Sequence, residues 1–253
     1  MNILFIGDVV GQRSVDWLVS ALPALKKKHS VDMTVVNGEN SADGNGITPY
    51  SAGRLLEVCD VITTGNHCFK RREMNDMYES SPFILRPANY GDTYGHGMCV
   101  YDMGRTRAAV IDLIGMTFMD SCDNPFKCAD RLLAELDERI VIVDFHAEAT
   151  SEKKAMGYYL AGRVSAVIGT HTHVQTADEQ ILEGFTGYIT DAGFTGVNDS
   201  VLGVDKNAII AKFTSYYPQK HSYPNGDICI NAVLTEVEEK SGKCVSIKRI
   251  NSL

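Results

Sequence analysis

Five short apolar runs, each ending on a carboxylate, an amide or an imidazole, constrain this chain more than any other feature. Ile3–Ile6 leads into Gly7-Asp8, and Met33–Val36 leads into Asn37-Gly38-Glu39-Asn40. Val61–Thr63 runs into Thr64-Gly65-Asn66-His67, and Ile140–Phe145 into His146. Val164–Ile168 runs into Gly169-Thr170-His171-Thr172-His173. Apolar runs of this length read as buried strands. Helical patterns separate them. Ser14 to Lys28 sets Trp17, Leu18, Leu22 and Leu25 on one side, with Pro23 predicting a kink or short break. Pro49 to Val58 starts on a first-turn proline, and a polar helix is expected from Arg71. Further helices are expected over Ala129–Leu136 and Ser151–Leu160.

Met98–Tyr101 and Thr106–Ile114 read as strands joined by a turn at Gly104. Beyond residue 180 the pattern is β-rich, with strands expected at Tyr188–Thr190, Ala208–Phe213, Asp227–Val237 and Val245–Ile250. That tail looks antiparallel. Alternation first and strands later predicts an α/β fold with two packed sheets. No long linker, repeat or low-complexity stretch interrupts the 253 residues, which are read as one domain spanning 1–253. The loops Asn37–Thr48, Ala88–Gly97 and Thr195–Lys206 are long enough to suggest function.

In parallel α/β sheets the carboxyl ends of the strands form the ligand crevice. Taken singly, these strand ends are ordinary: Gly7-Asp8 suits a turn or helix cap, Asn66-His67 a polar loop, and His146 a satisfied core histidine. Five such ends in one topology predict a joint site. The rings of His171 and His173 can point the same way only if the backbone turns between them, which suits two neighbouring metal ions. Oxygen and nitrogen donors without thiolates fit Fe, Mn, Zn or Co. A shared carboxylate can hold two ions roughly 3.5–4 Å apart, near enough to polarise one phosphoryl group and activate one water.

The formal net charge of −8 argues against a broad nucleic-acid surface but leaves room for a small phosphate ester held by metals. The chain's start offers only Ile3–Ile6 before Gly7, too short for a signal-peptide core or a membrane span, so a cytoplasmic protein is expected. The seven cysteines form no Cys-x-x-Cys pair and read as reduced thiols.

At the strand ends the chain resembles the calcineurin-like metallophosphoesterases. Their Gly-Asp, Gly-Asp/Glu, Gly-Asn-His, His and Gly-His-x-His blocks occur here in order. Gly38-Glu39-Asn40 is similar to the YmdB-like branch, as are the stretches His146–Lys153, Gly169–Asp178, Arg86–Tyr90, Asp123–Phe126 and Asp191–Gly196. The resemblance implies a four-layer α/β/β/α sandwich, two packed mixed β-sheets flanked by helices. It implies that Asp8, Glu39, Asn40 and His173 bind one metal and Glu39, Asn66, His146 and His171 the other, with Glu39 bridging. His67 resembles the family's general acid. The implied activity is a phosphodiesterase on 2′,3′-cyclic nucleotides, in which a metal-activated hydroxide attacks and His67 protonates the leaving oxygen. The implied metals are iron or manganese, with zinc as an option, and relatives are often homo-oligomers. Two other readings stay open: a phosphomonoesterase on the same centre, and a non-catalytic nucleotide sensor.

One departure stands out. The branch usually carries Trp-Asp shortly after Gly-Asn-His, where this chain has Cys68-Phe69-Lys70. Cys68 is read as a packed neutral thiol, with a soft extra ligand or an oxidation-sensitive thiol beside the site as the alternatives. Lys70-Arg71-Arg72 suits a solvated face or phosphate steering, and Glu148 suits either an orienting acceptor for an imidazole or a loop acid. Gly44-Asn45-Gly46 reads equally as a plain turn or a place where backbone nears substrate. Lys26-Lys27-Lys28 complements a helix dipole, and His29, His96 and His221 are expected in exposed loops.

Overall fold

Side chains of the central strands alternate between two apolar layers, and this alternation sets the architecture. The computed structural model describes residues 1–220 and 222–252; His221 lies outside them. Strand β1 (Asn2–Ile6) sends Ile3 and Phe5 to one layer and Leu4 and Ile6 to the other. Strand β3 (Met33–Asn37) divides Met33 and Val35 from Val36 in the same way. Seven strands form the first sheet, in the order β2 (Asp8–Val9), β11 (Phe194–Val197), β12 (Ile228–Val237), β1, β3 and β4 (Val61–Thr63), with β13 (Cys244–Ser252) also paired to β12. Six strands form the second, in the order β5 (Met98–Asp102), β6 (Arg107–Ile114), β7 (Ile140–His146), β8 (Ala166–Thr170), β10 (Thr186–Ile189) and β9 (Gln180–Leu182). β1, β3 and β4 run parallel, as do β6, β7, β8 and β10, while β12 and β13 are antiparallel.

The layer between the sheets holds Phe5, Val35, Val110, Ile142, Ile168 and Val233. Outside the first sheet, α1 (Gln12–Lys28), α2 (Pro49–Leu56) and α3 (Asn75–Ser80) set Leu18, Leu22, Leu55 and Tyr78 against Leu4, Ile6 and Val36. Outside the second, α4 (Pro125–Glu135) and α5 (Thr150–Leu160) set Leu132, Met156 and Leu160 against Val141, Val143 and Phe145. Each such fully buried side chain contributes about 2 kcal/mol relative to exposure. The expected α/β/β/α order of layers is the observed one.

Capping explains several boundaries. Thr48 and Ser51 form a reciprocal capping box at the start of α2, with Pro49 in the first turn. Asn124 accepts from the backbone N–H groups of Phe126 and Lys127, so α4 begins at Pro125, ahead of the expected Ala129. α1 runs from Gln12 to Lys28 without a break at Pro23. The proline removes one ladder bond there, which the burial of Leu18 and Leu22 offsets. The polar helix expected from Arg71 is a 3₁₀ turn at Arg72–Met74 followed by α3.

The strand expected at Ala208–Phe213 is instead part of helix α6 (Lys206–Ser215). The Asp205 carboxylate accepts from Ala208 N at 2.9 Å, and Tyr216 closes the helix in the left-handed region at φ 60°. A helix cap at one end and a left-handed stop at the other decide the conformation. The adjacent Ile209 and Ile210 suggested a strand, but no side chain of α6 is buried, so no sheet recruits them. The short strands β2, β9 and β11 go beyond the sequence reading. All seven cysteines are free thiols, six of them buried. Among the described residues no helix is long and apolar enough to cross a membrane.

Candidate metal centre

Where the two sheets face each other at the carboxyl ends of their parallel strands, the layer between them turns polar. On β7, Ile140 and Ile142 point between the sheets, and the two-residue period sends Asp144 and His146 the same way. Asp144 Oδ2 accepts from Asn37 Nδ2 at 3.0 Å and Thr63 Oγ1 at 2.6 Å, both from the opposite sheet. This contact ties the ends of β3, β4 and β7 together beneath the candidate ligands.

Four expected ligands meet around His146 Nε2. Asn66 Oδ1 lies 3.1 Å away, His171 Nδ1 3.0 Å and Glu39 Oε1 3.2 Å. A second group adjoins it: His173 Nε2 lies 3.1 Å from Asn40 Nδ2 and 3.6 Å from Asp8 Oδ1. Asn40 Nδ2 links the two groups, at 3.1 Å from Glu39 Oε1 and 3.4 Å from Asp8 Oδ1. Asp8, Glu39 and His146 are completely buried. All seven ligand candidates and His67 are therefore drawn together. Asn40 turns its amide nitrogen to the cluster and its oxygen to His67 Nδ1, 3.1 Å away. Ligation through that oxygen requires a half-turn of the amide.

The backbone is bent to achieve this convergence. His171 has φ 99° and His173 φ 62°, both in the region that favours glycine. Non-glycine residues in such conformations persist where surrounding structure holds them, commonly at functional sites. Gly65 serves the opposite purpose, since a Cβ there would collide with the His146 ring and the Glu39 carboxylate.

Each imidazole has its outer nitrogen engaged. His146 Nδ1 lies 2.9 Å from Thr170 Oγ1, whose hydroxyl donates to Asp144 Oδ1 at 2.7 Å. The hydroxyl's single proton is thus committed, so His146 Nδ1 is the donor and Nε2 faces the cluster. His171 Nε2 lies 3.0 Å from Glu148 Oε2, and His173 Nδ1 3.2 Å from the Leu202 carbonyl. Phe194 stacks on the His173 ring at 5.9 Å. Such outer partners fix ring orientation and ligand basicity. His67 is held through Nδ1 and through its backbone N–H, which donates to Glu39 Oε2 at 3.1 Å. Its Nε2 is the nitrogen left for a substrate.

Below the loop, Lys153 and Asp191 form a buried ion pair at 2.7 Å. Asp191 Oδ2 also accepts from Thr172 N at 3.0 Å and Thr172 Oγ1 at 2.8 Å. The residue between the two histidines is thereby clamped.

Electrostatics fit a cation. Burial pushes the Glu39 carboxyl up, but His146 and His67 outweigh it and hold the group well below the usual range. Burial opposes charge on His146 as well, yet Glu39, Asp8 and Asp144 carry its pKa up to about 9. Burial and the adjacent His146 bring His171 down to about 3, leaving it a neutral donor. A cluster that recruits a proton to a fully buried imidazole carries surplus negative charge. One proton on Nε2 can satisfy only one of the three acceptors around it, whereas a metal ion accepts lone pairs from all four atoms. Donor atoms about 3 Å apart match ligands sharing one ion at the roughly 2.1 Å bond length of such sites. Glu39, His146 and His171 alone already bring their ligand atoms within 4.8 Å of one another.

Other candidates separate. Cys68 is a packed thiol, as read from sequence: it is buried, and burial pushes its pKa up. Glu148 takes the orienting role. Of the three long loops, Asn37–Thr48 carries Glu39 and Asn40, and Thr195–Lys206 reaches His173 through Leu202. Ala88–Gly97 stays apart from the cluster and is organised by Arg86, which donates to the carbonyls of Pro87, Gly91 and Tyr94. Gly44-Asn45-Gly46 is a turn packed on the segment after His67. His96 is exposed, while His29 is half-buried at the end of α1. The sequence reading missed Asp144, Thr170 and the Lys153–Asp191 pair. A lone acid within the apolar run Ile140–Phe145 was the available signal for Asp144.

The paired sheets, with this cluster at their facing carboxyl ends, have the metallophosphoesterase fold. The chain belongs to the YmdB-like protein family, whose model matches residues 4–250. It is 43% identical over 254 residues to a 2′,3′-cyclic-nucleotide 2′-phosphodiesterase of Bacillus subtilis, covering 99% of this chain and 96% of the relative. A solved structure of a Thermus thermophilus protein superposes with TM-score 0.93 at 36% identity, covering 100% of this chain and 99% of that one. A phosphatase of Mycoplasma pneumoniae gives TM-score 0.93 at 30% identity, covering 100% and 93%. The family and enzyme class implied by the sequence motifs are borne out.

Proposed function

We propose that the chain is a dinuclear metal-dependent phosphodiesterase that opens 2′,3′-cyclic nucleotides to 3′-nucleotides. Glu39, Asn66, His146 and His171 would hold one ion, and Asp8, Glu39, Asn40 and His173 the other, with Glu39 shared. Iron or manganese suits these oxygen and nitrogen donors, and zinc also fits. When bound, the two ions supply positive charge for the phosphoryl oxygens and lower the pKa of water.

The protein's own residues do the remainder. Glu39 orients His67 through its backbone N–H, and the half-turn that gives Asn40 Oδ1 to the ion would present its Nδ2 to His67 Nδ1, so that Nδ1 accepts and the outward Nε2 carries the proton. From there Nε2 delivers a proton to O2′ as the phosphorus–O2′ bond breaks and the water oxygen bonds to phosphorus. Thr170, Glu148 and the Leu202 carbonyl keep the three ligand rings in place. Reduced thiols throughout the chain accord with a cytoplasmic setting, and a homo-oligomer is proposed on the family resemblance.

The observation that carries this reading is the crowding of three acceptors around His146 Nε2. The test is hydrolysis of a 2′,3′-cyclic nucleotide by manganese- or iron-loaded protein, with a nucleoside monophosphate compared on the same preparation. The 3′-nucleotide is the expected product. Faster cleavage of the monoester, or binding without turnover, overturns the reading.

A further inference from the structure

Three consecutive cations follow the proposed general acid and find no acid to pair with. Among the described residues, Lys70, Arg71 and Arg72 lie in no ion pair with a carboxylate. Six other arginines, Arg54, Arg105, Arg107, Arg131, Arg163 and Arg249, have a carboxylate within ion-pair distance, and Arg13, Arg86 and Arg139 donate to backbone carbonyls through their terminal amino groups. In a protein of net charge −8, this unpaired cationic run lies beside the proposed active centre, where an anionic substrate would meet it.

Gly46 fixes where these cations stand. A Cβ on Gly46 would lie 3.0 Å from Arg71 Cγ, 3.2 Å from Lys70 Cβ and 3.4 Å from the His67 carbonyl oxygen. Lys70 N donates to that same carbonyl at 3.0 Å. Arg71 Nε donates to the Asn45 carbonyl at 3.3 Å, which anchors the guanidinium and leaves both terminal amino groups for a ligand. Tyr223 closes the far side, its hydroxyl donating to the Asp43 carbonyl. Glu73 and Asp76 follow the run in sequence, and neither pairs with it.

The reaction's direction gives the cations a target. His67 protonates O2′, so the nucleoside lies on the His67 side of the phosphorus. Of the groups the ribose carries, the 5′ substituent is the one that can bear a further phosphate, so it is the part of the substrate that Lys70 and Arg71 are suited to meet. Phosphate matches a planar guanidinium fork. We infer that Lys70 and Arg71, with Arg72 beside them, form a second phosphate subsite. The favoured substrates then carry a 5′-phosphoryl group as well as the cyclic phosphate, as the last nucleotide of an RNA fragment does. The net charge disfavours a long RNA track, so one phosphate is recognised rather than many. The chemistry is unchanged: water adds to phosphorus, the phosphorus–O2′ bond breaks, O2′ takes the His67 proton, and the 5′ phosphate is untouched.

This inference rests on the proposed cyclic phosphodiesterase reading. The experiment compares kcat/KM for a nucleoside 2′,3′-cyclic phosphate, its 5′-phosphorylated form, and a dinucleotide ending in the cyclic phosphate. Both phosphate-bearing substrates are expected to be favoured by roughly tenfold at low salt, mainly through KM, with the advantage shrinking as KCl rises. Arg71→Gln should bring the ratio close to one, and Lys70→Glu, on an exposed side chain, should do so without disturbing the fold. An unchanged ratio in both variants, or no preference in the parent, overturns the subsite. A gain confined to the dinucleotide also overturns it, since recognition would then belong to the second nucleoside. Calorimetric binding of a nucleoside 3′,5′-bisphosphate against the 3′-monophosphate separates the two readings. If no cyclic ester is cleaved, the catalytic reading fails, and tighter binding of the bisphosphate that is lost in Arg71→Gln decides the subsite by itself.

Discussion

Lys153 Nζ lies 2.7 Å from Asp191 Oδ2 with both side chains buried, and this pair fixes the loop on which His171 and His173 stand. Asp191 Oδ2 accepts from Lys153 and from Thr172 while Oδ1 accepts from Gly193 N at 2.8 Å, so one carboxylate ties α5 to both sides of the turn. Lys153→Met would leave Asp191 as an uncompensated buried charge. The expected cost is about 3–5 kcal/mol in denaturant unfolding, accompanied by lost metal content. A variant that keeps both stability and metal would show that the loop is held by other contacts.

The proton assigned to His67 can be tested apart from metal binding. His67→Gln retains a polar side chain near Asn40 but cannot supply a proton. Turnover of the cyclic ester should fall by roughly 10²–10⁴ while metal content stays at the parent level. A leaving group of low pKa needs little protonation, so an activated aryl diester should lose much less. Equal losses on both esters would contradict the acid role.

Much of this centre was legible because its candidate ligands lie within a few residues of the ends of apolar runs. Asp8, Glu39, Asn66, His146 and His171 could be read from local sequence and the rule for parallel sheets. The supporting residues could not, since their roles exist only across the sandwich. Asp144 sits in β7 but serves Asn37 and Thr63 of the other sheet, and Lys153 reaches Asp191 from a helix. The fold was legible to a similar depth. Apolar runs gave the central strands, while α6 was misread because its apolar residues are not buried and its cap decides its conformation. The orientation of Asn40 lies beyond sequence altogether, because it depends on which neighbours take its two ends.

Thr170 relays orientation from Asp144 to His146, and its hydroxyl is replaceable without changing shape. Thr170→Val keeps the volume but strands His146 Nδ1 and removes one donor from Asp144. Metal affinity should drop by roughly 10–100-fold, as expected when an outer partner of a ligand is removed. Competition against a chelator of known strength reads this directly, and unchanged affinity would remove Thr170 from the support of the site.

Gly65 leaves room for the centre in a place where no side chain fits. In Gly65→Ala the new methyl must displace either the His146 ring or the Glu39 carboxylate, both bound to other groups in the cluster. Overpacking of this kind costs about 1–3 kcal/mol. Metal content and turnover should fall further than stability, because the strain is aimed at two ligands. Elemental analysis of folded protein provides the check, and full metal occupancy in the variant would show that the ligands can yield.

Asp112 supplies a pH-dependent stability term beside the centre. Its Oδ2 accepts from Thr64 N at 2.8 Å, while its buried Oδ1 has no partner. Burial raises the pKa well above the usual range, with Asp144 on β7 and Glu39 adding to the rise, while the Thr64 N–H and Arg86 oppose it. A carboxyl raised in the folded state favours folding below the unfolded pKa, about 3.9. That contribution is lost as pH rises toward the folded pKa, because the unfolded chain releases the proton first. Asp112→Asn cannot titrate, so its stability relative to the parent should be level below pH about 4 and improve steadily above it, by up to about 1.4 kcal/mol per pH unit. Thermal melts of both proteins between pH 4 and 8 measure the difference. A gap that stays constant over that range would mean that Asp112 is ionised in the folded protein throughout, stabilised by charge from the neighbouring centre.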